Sequence, residues 1–89
     1  MGRYEIAELE TAAIAAGQAS GDIFYRLGLM YSTGASVQTD RVTAHKWFNL
    51  AAMRGNAEAI RLRRELAAEM TETEIATALR AAREWAKGR

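Results

Sequence analysis

Two stretches of the chain align, at low identity, with two later ones at nearly the same offset. "TAHKWFNLAA", beginning at Thr43, aligns with "TALRAAREWA", beginning at Thr77, at an offset of 34. Phe24, Leu27, Gly28 and Tyr31 align with Ala59, Leu62, Arg63 and Leu66 at an offset of 35. A period of about 34 to 36 residues is the length of two helices and their turns, and such a unit buries its apolar face only against a neighbouring copy. The expectation is an all-α protein, an α/α solenoid of about five helices. It would form one helical-repeat domain over 1–89, with a leading helix in 1–20, a full repeat in 21–55 and a degenerate closing repeat or cap in 56–89.

Composition agrees with a helical reading and removes several chemistries. The chain holds nineteen alanines and no proline, and no alternating run of Val, Ile or Thr suggests a strand. Its 89 residues make one domain near the lower end of what folds without a staple. The absence of cysteine excludes disulfides, thiol catalysis and thiolate metal sites. Twelve basic and eleven acidic residues leave a net charge of +1, too little for a broad field that attracts phosphate backbones or anionic lipid. The N-terminal "MGRYEIAELETAAIAAG" carries glutamates where a secretory signal needs a basic region and an unbroken apolar core. No apolar run approaches the roughly 20 residues that span a bilayer. A soluble cytoplasmic chain with no membrane partner is expected.

Five helices can be placed. The first runs from Tyr4 to Ala16, with Ile6, Leu9, Ala13 and Ala16 on one side and Gly17 as its stop. The second is "DIFYRLGLMY", 22–31, with Asp22 as candidate N-cap and Gly34 shortly past its end. Asp40 caps a third, whose stripe is Ala44, Trp47, Phe48 and Ala51 and which ends at Gly55. Asn56 caps a fourth, with Ala59, Leu62, Leu66 and Met70 inward. Thr71 and Glu74 have capping-box spacing and open a fifth, with Ile75, Ala78, Leu79, Ala82 and Trp85 inward.

The run from Phe24 to Ala59 holds a Leu-Gly pair, Leu27 and Gly28, followed by Tyr31. A loop with Gly34, Val37 and Asp40 comes next, then Ala44, the aromatic pair Trp47 and Phe48, Ala51, Ala52 and a terminal Gly55. In this pattern the chain resembles the Sel-one-like repeat, a bacterial relative of the tetratricopeptide repeat. The likeness covers about 36 of 89 residues, with Ile60 to Trp85 resembling the degenerate last repeat of small members. Two positions depart from the family. Ser36 stands where a second loop glycine is common, and serine adopts positive φ less readily. Arg63 stands where the next copy would carry its helix glycine. The resemblance implies non-catalytic protein binding, as an adaptor or small accessory subunit, with first helices of successive repeats lining a concave face.

The residues support that reading independently. A glycine inside a helix costs roughly 1 kcal/mol relative to alanine, so Gly28 points to a close helix contact. Ala51 or Ala52 is the expected partner, with Trp47, Phe48 and Tyr31 filling the wedge around it. Arg63 bars an equally close approach in the next copy, and the fifth helix, charged on one face, serves as an end cap.

The candidate protein-binding surface lies on the second helix and comprises Ile23, Tyr25, Arg26, Leu29 and Met30. Phe24, Leu27, Gly28 and Tyr31 form its inward stripe, flanked by Ile23 and Met30 on one side and Tyr25 and Leu29 on the other, which leaves Asp22 and Arg26 to water. An uncovered flank would be an apolar patch of the kind that marks protein interfaces. The alternative is that neighbouring helices of the same chain cover both flanks. The partner is another protein, with a second copy of the chain as one candidate.

Other candidates fare worse. His45, the single histidine, lacks a second ligand at i+3 or i+4 and reads as a partly exposed structural residue, so neither metal nor cofactor is expected. Gly17, Gly21, Gly28 and Gly34 assemble no phosphate loop. Ser20, Ser32 and Ser36 occupy caps and turns, so no nucleophile is evident and no enzyme is expected. The functional alternative is nucleic-acid or regulatory binding through "RLRRE" at 61–65 with Arg54, Arg80, Arg83, Lys87 and Arg89. Interleaved Glu58, Glu65, Glu69, Glu72 and Glu84 instead suit a solvated helix face.

Overall fold

The computed structural model describes residues 21–88, so the leading helix expected over 4–16 lies outside the described residues. Four helices follow in order: α1 (Gly21–Thr33), α2 (Arg41–Met53), α3 (Ala57–Ala67) and α4 (Glu72–Lys87). Among the described residues there is no strand and no helix long and apolar enough to cross a membrane.

Three helix starts form through the caps read from sequence. Asp40 accepts the Thr43 N–H at 3.0 Å and the Thr43 hydroxyl at 2.7 Å. Asn56 Oδ1 accepts the Ala59 N–H at 2.8 Å. Thr71 and Glu74 close a reciprocal capping box, with bonds of 2.9 and 3.1 Å. Each satisfies backbone donors that the first helical turn leaves open.

The other boundaries shift for local reasons. Asp22 is not an N-cap, because Gly21 is already helical; it lies in the first turn, where negative charge suits the helix dipole, and accepts from Asn56 Nδ2 at 3.3 Å. Helix α1 continues past Tyr31 to Thr33, and the Ser32 and Thr33 hydroxyls both donate to the Leu29 carbonyl. Gly34 at φ +78° then ends it, donating to the Met30 carbonyl at 3.0 Å. Helix α3 stops at Ala67 and does not reach Met70. Bonds from Glu69 N–H to Leu66 and from Met70 N–H to Ala67 tighten the chain into a turn, yet Met70 remains buried.

Helix α2 is the hub. It packs against α1, α3 and α4, whereas α3 and α4 make little direct contact with each other. Its burial extends beyond a single stripe: Ala44, His45, Trp47, Phe48, Leu50 and Ala51 are all buried. Phe24 stacks on Trp47 with centroids 5.7 Å apart, and Trp85 meets both edge-on at 5.3 and 5.6 Å. These rings join α1, α2 and α4 through the offset and edge-to-face geometries that aromatic quadrupoles favour. Ala78 and Ala82 are the fully covered residues of α4.

Gly28 does mark a close contact, but its partner is not Ala51 or Ala52. A Cβ built at Gly28 would lie 2.5 Å from two ring carbons of Phe48, far inside ordinary carbon–carbon contact. Phe48 is 1% exposed, and its ring also packs beside Tyr25 at 6.1 Å. The missing side chain therefore makes room for an aromatic ring, not for a second backbone over a small residue.

The loop between α1 and α2 keeps a left-handed backbone where the resemblance leads one to expect glycine. Ser36 has φ +76°, so serine holds the conformation that the missing glycine would adopt without strain. The Asp40 N–H donates to the Tyr31 carbonyl at 3.0 Å, tying the loop's end back to α1.

Candidate protein-binding groove

The flanks of α1 face different surroundings. Ile23, Tyr25, Leu29 and Met30 are all half-buried and packed against the core cluster, while Arg26 is exposed. No flank of α1 is thus a bare apolar strip, and the alternative of cover from within the chain holds in part. Ile23 and Met30 lie on one side of the helix; Tyr25 and Leu29 lie on the other, toward Phe48 and α3.

On that second side α1 and α3 run in the same direction. The start of α1 meets the start of α3 through Asp22 and Asn56, and residues near both C-terminal ends border a common groove. The groove has a volume of about 240 Å³. Leu29, Phe48, Leu62 and Leu66 supply its apolar lining, with Ser32 and Thr33 along the α1 edge and, opposite, Glu65 on α3 and Glu69 in the turn after it. Small-molecule sites run to about 300–1,000 Å³, so this space suits one or two large side chains better than a cofactor.

The groove exists because of how its two walls meet α2. Gly28 lets the Phe48 ring reach the backbone of α1. Arg63, at the corresponding place on α3, instead extends its guanidinium to α2 and donates to Asn49 Oδ1. One wall is drawn in against a ring and the other is bonded to α2 through a long side chain. The space between them is floored by Phe48.

His45 is buried, not partly exposed as expected, at 3% of its surface. Its Nδ1 and the Trp47 Nε1 have no hydrogen-bond partner among the described residues. Burial lowers the pKa of His45 below the ordinary 6.5, nearby Arg63 lowers it further, and the histidine's own backbone opposes them in part. The fold thus favours the neutral imidazole. Among the described residues no three or more His, Asp or Glu side chains gather closely enough to hold a metal ion.

The three arginines of "RLRRE" do not all share a face: Arg61 and Arg64 lie on one exposed side, and Arg63 turns from it. Arg61 is exposed and paired with Glu58 and Glu65, Arg63 turns to Asn49, and Arg64 is exposed. Arg80, Arg83 and Lys87 are exposed on α4, and Arg41 lies 3.9 Å from Glu74. Arg54 is exposed at the end of α2.

Sequence reasoning misses the α3 half of the groove. Leu62 and Leu66 are legible as an inward stripe, but not as a wall left partly open. It also misses Met53, which at 65% exposure is the most exposed large apolar side chain described and lies beside Arg83 and Lys87. Neither signal is available from periodicity, which gives a direction on one helix and not the distance to the next. No protein-family model, curated protein or solved structure matches the chain.

Proposed function

We propose that the chain is a non-catalytic protein-interaction module, an adaptor or small accessory subunit, built as a short tetratricopeptide-like solenoid of the Sel-one-like type. The observation that carries the reading is the apolar groove between α1 and α3, with Leu29, Phe48, Leu62 and Leu66 in its lining. Its size fits side chains presented by another chain. In this reading α1 and α3 are the first helices of two successive repeats, the helices that the resemblance implies would line a concave face. Nucleic-acid binding through the arginines is the weaker reading, because Arg61 is tied to two glutamates and Arg63 is turned toward α2.

The test is affinity capture from the native host at low and high salt, with the native chain and with Leu62→Glu, each checked for helicity by circular dichroism. One protein recovered in stoichiometric amount by the native chain and lost with folded Leu62→Glu supports the reading. Recovery unaffected by that substitution refutes the groove as the site. Nucleic acid released by salt supports the arginine-based alternative.

A further inference from the structure

We infer that the groove selects a basic segment of a partner protein, one that offers one or two bulky apolar side chains with a lysine or arginine within a helical turn of them. The inference rests on the protein-binding reading above and adds the chemistry of the occupant. The argument begins with what borders the groove. Its apolar lining asks for an apolar anchor, and the two ionisable groups along its edge, Glu65 and Glu69, are both acidic. Among the described residues no lysine, arginine or histidine lines it.

The remaining polar groups have partners already. Ser32 and Thr33 donate their hydroxyl protons to the Leu29 carbonyl at 3.2 and 2.8 Å, so neither donor is available to hold an acidic ligand. Arg61 reaches Glu65 at 2.8 Å, but the same guanidinium is shared with Glu58. One cation therefore serves two carboxylates on this part of α3. Glu69 has no ion pair among the described residues. The edge of the groove keeps a negative excess beside an apolar floor, which repels acidic segments and attracts basic ones. A carboxylate excess next to an apolar slot also gives specificity by exclusion, because an acidic occupant would place like charges together.

The test uses three fluorescein-labelled helical peptides of equal length. Each carries leucines at i and i+4, and the flanking positions are lysine, glutamine or glutamate. Binding to the full chain is followed by fluorescence anisotropy. A pair of exposed charges contributes about 0.2–1 kcal/mol, up to about five-fold in affinity, so two carboxylates predict a preference of between about two-fold and 25-fold for the lysine peptide over the glutamine one. The preference should shrink as salt is raised. Glu65→Gln with Glu69→Gln should remove it, and Glu65→Lys with Glu69→Lys should reverse it toward the glutamate peptide. Leu62→Ala should weaken all three.

Equal binding of the three peptides, lost with Leu62→Ala, overturns the charge selection and leaves the protein-binding reading standing. Binding unchanged by Leu62→Ala overturns both. Binding of none of the peptides overturns the inference, as does concentration-dependent self-association that is abolished by Leu62→Ala, which makes a second copy the occupant.

Discussion

Replacing Gly28 with alanine separates two forces that predict opposite signs. Inside a helix, alanine is favoured over glycine by about 0.8–1.0 kcal/mol, so propensity alone predicts a more stable protein. The contact predicts the reverse. The new methyl carbon would fall 2.5 Å from two carbons of the Phe48 ring, where ordinary contact is about 3.5–4.0 Å. Something must move by roughly 1 Å. The ring has little freedom to do so, since Phe48 is 1% exposed and is backed by Tyr25. Overpacking of this kind costs typically about 1–3 kcal/mol, and the confined ring places Gly28→Ala in the upper part of that range. Subtracting the propensity gain leaves a net loss of about 1–2 kcal/mol.

For a domain of this size each 1 kcal/mol lowers Tm by about 4–8 °C. Thermal and urea unfolding of the full chain, followed by circular dichroism, should therefore show a fall of roughly 5–15 °C with an unchanged urea slope. A second substitution identifies the cause. Phe48→Leu should cost less in the Gly28→Ala background than in the native one, with a coupling of about 1–2 kcal/mol. A rise in Tm for Gly28→Ala, or additive costs in the double variant, would refute the ring contact as the reason for glycine.

Three further outcomes follow from local geometry. Ser36→Gly relieves a left-handed serine, worth about 1–2 kcal/mol, against about 0.4–1 kcal/mol of added unfolded-state entropy; Tm should rise by a few degrees, and a fall would show that the loop does not need that backbone. Thr71→Ala removes one half of the capping box on α4 and should cost about 1 kcal/mol in urea unfolding, most of it restored by serine; no loss would mean α4 is set by packing alone. Burial holds the pKa of His45 below the unfolded value of 6.5, so around and below that pH the unfolded chain binds more protons than the folded one. Stability should be flat above about pH 7 and fall, by at most about 1.4 kcal/mol per pH unit, as pH drops below 6.5. Measured between about pH 7.5 and 5.5, a window that brackets the free histidine value, His45→Leu should lose that slope, and a slope that persists assigns it to another group.

Short-range chemistry is the legible part of this sequence. Asp40, Asn56 and the Thr71–Glu74 box each act within three residues, so their spacing is their geometry. The inward stripe of α1 is legible for the same reason, because 3.6-residue periodicity decides which side of a helix is apolar. Periodicity does not decide which neighbour covers that side. It therefore marks Gly28 as a close-contact site without naming Phe48 as the partner, and it offers the flanks at Ile23, Tyr25, Leu29 and Met30 as covered or bare when all four are half-buried. His45 falls at the edge of a stripe only if α2 has one apolar face. That helix packs against three others, and a residue beside the stripe faces another helix instead of water.

The internal alignment explains why α2 became the hub. At the offsets of 35 and 34 found in the sequence, the contact pair Gly28 and Phe48 corresponds to Arg63 and Ala82. In the first pair of helices, glycine and an aromatic ring interlock and hold α1 tightly on α2. In the second pair neither half of that contact remains. Arg63 uses its length to bond Asn49 on α2, and Ala82 is fully covered within the core cluster that includes Trp47 and Leu50. With no ring to seat and no glycine to receive it, α3 and α4 have no reason to close on one another, and each packs on α2. Trp85, at the place aligned with Ala51, then reaches the rings of Phe24 and Trp47. The residues that set the second pair apart from the first thus have a structural result: Trp85 anchors α4 at the aromatic cluster and Arg63 bonds α3 to α2. A second pair that kept glycine at 63 and an aromatic at 82 would join α3 to α4 and withdraw the bond to Asn49. The groove lined by Phe48 lies beside a second pair that carries neither glycine at 63 nor an aromatic ring at 82.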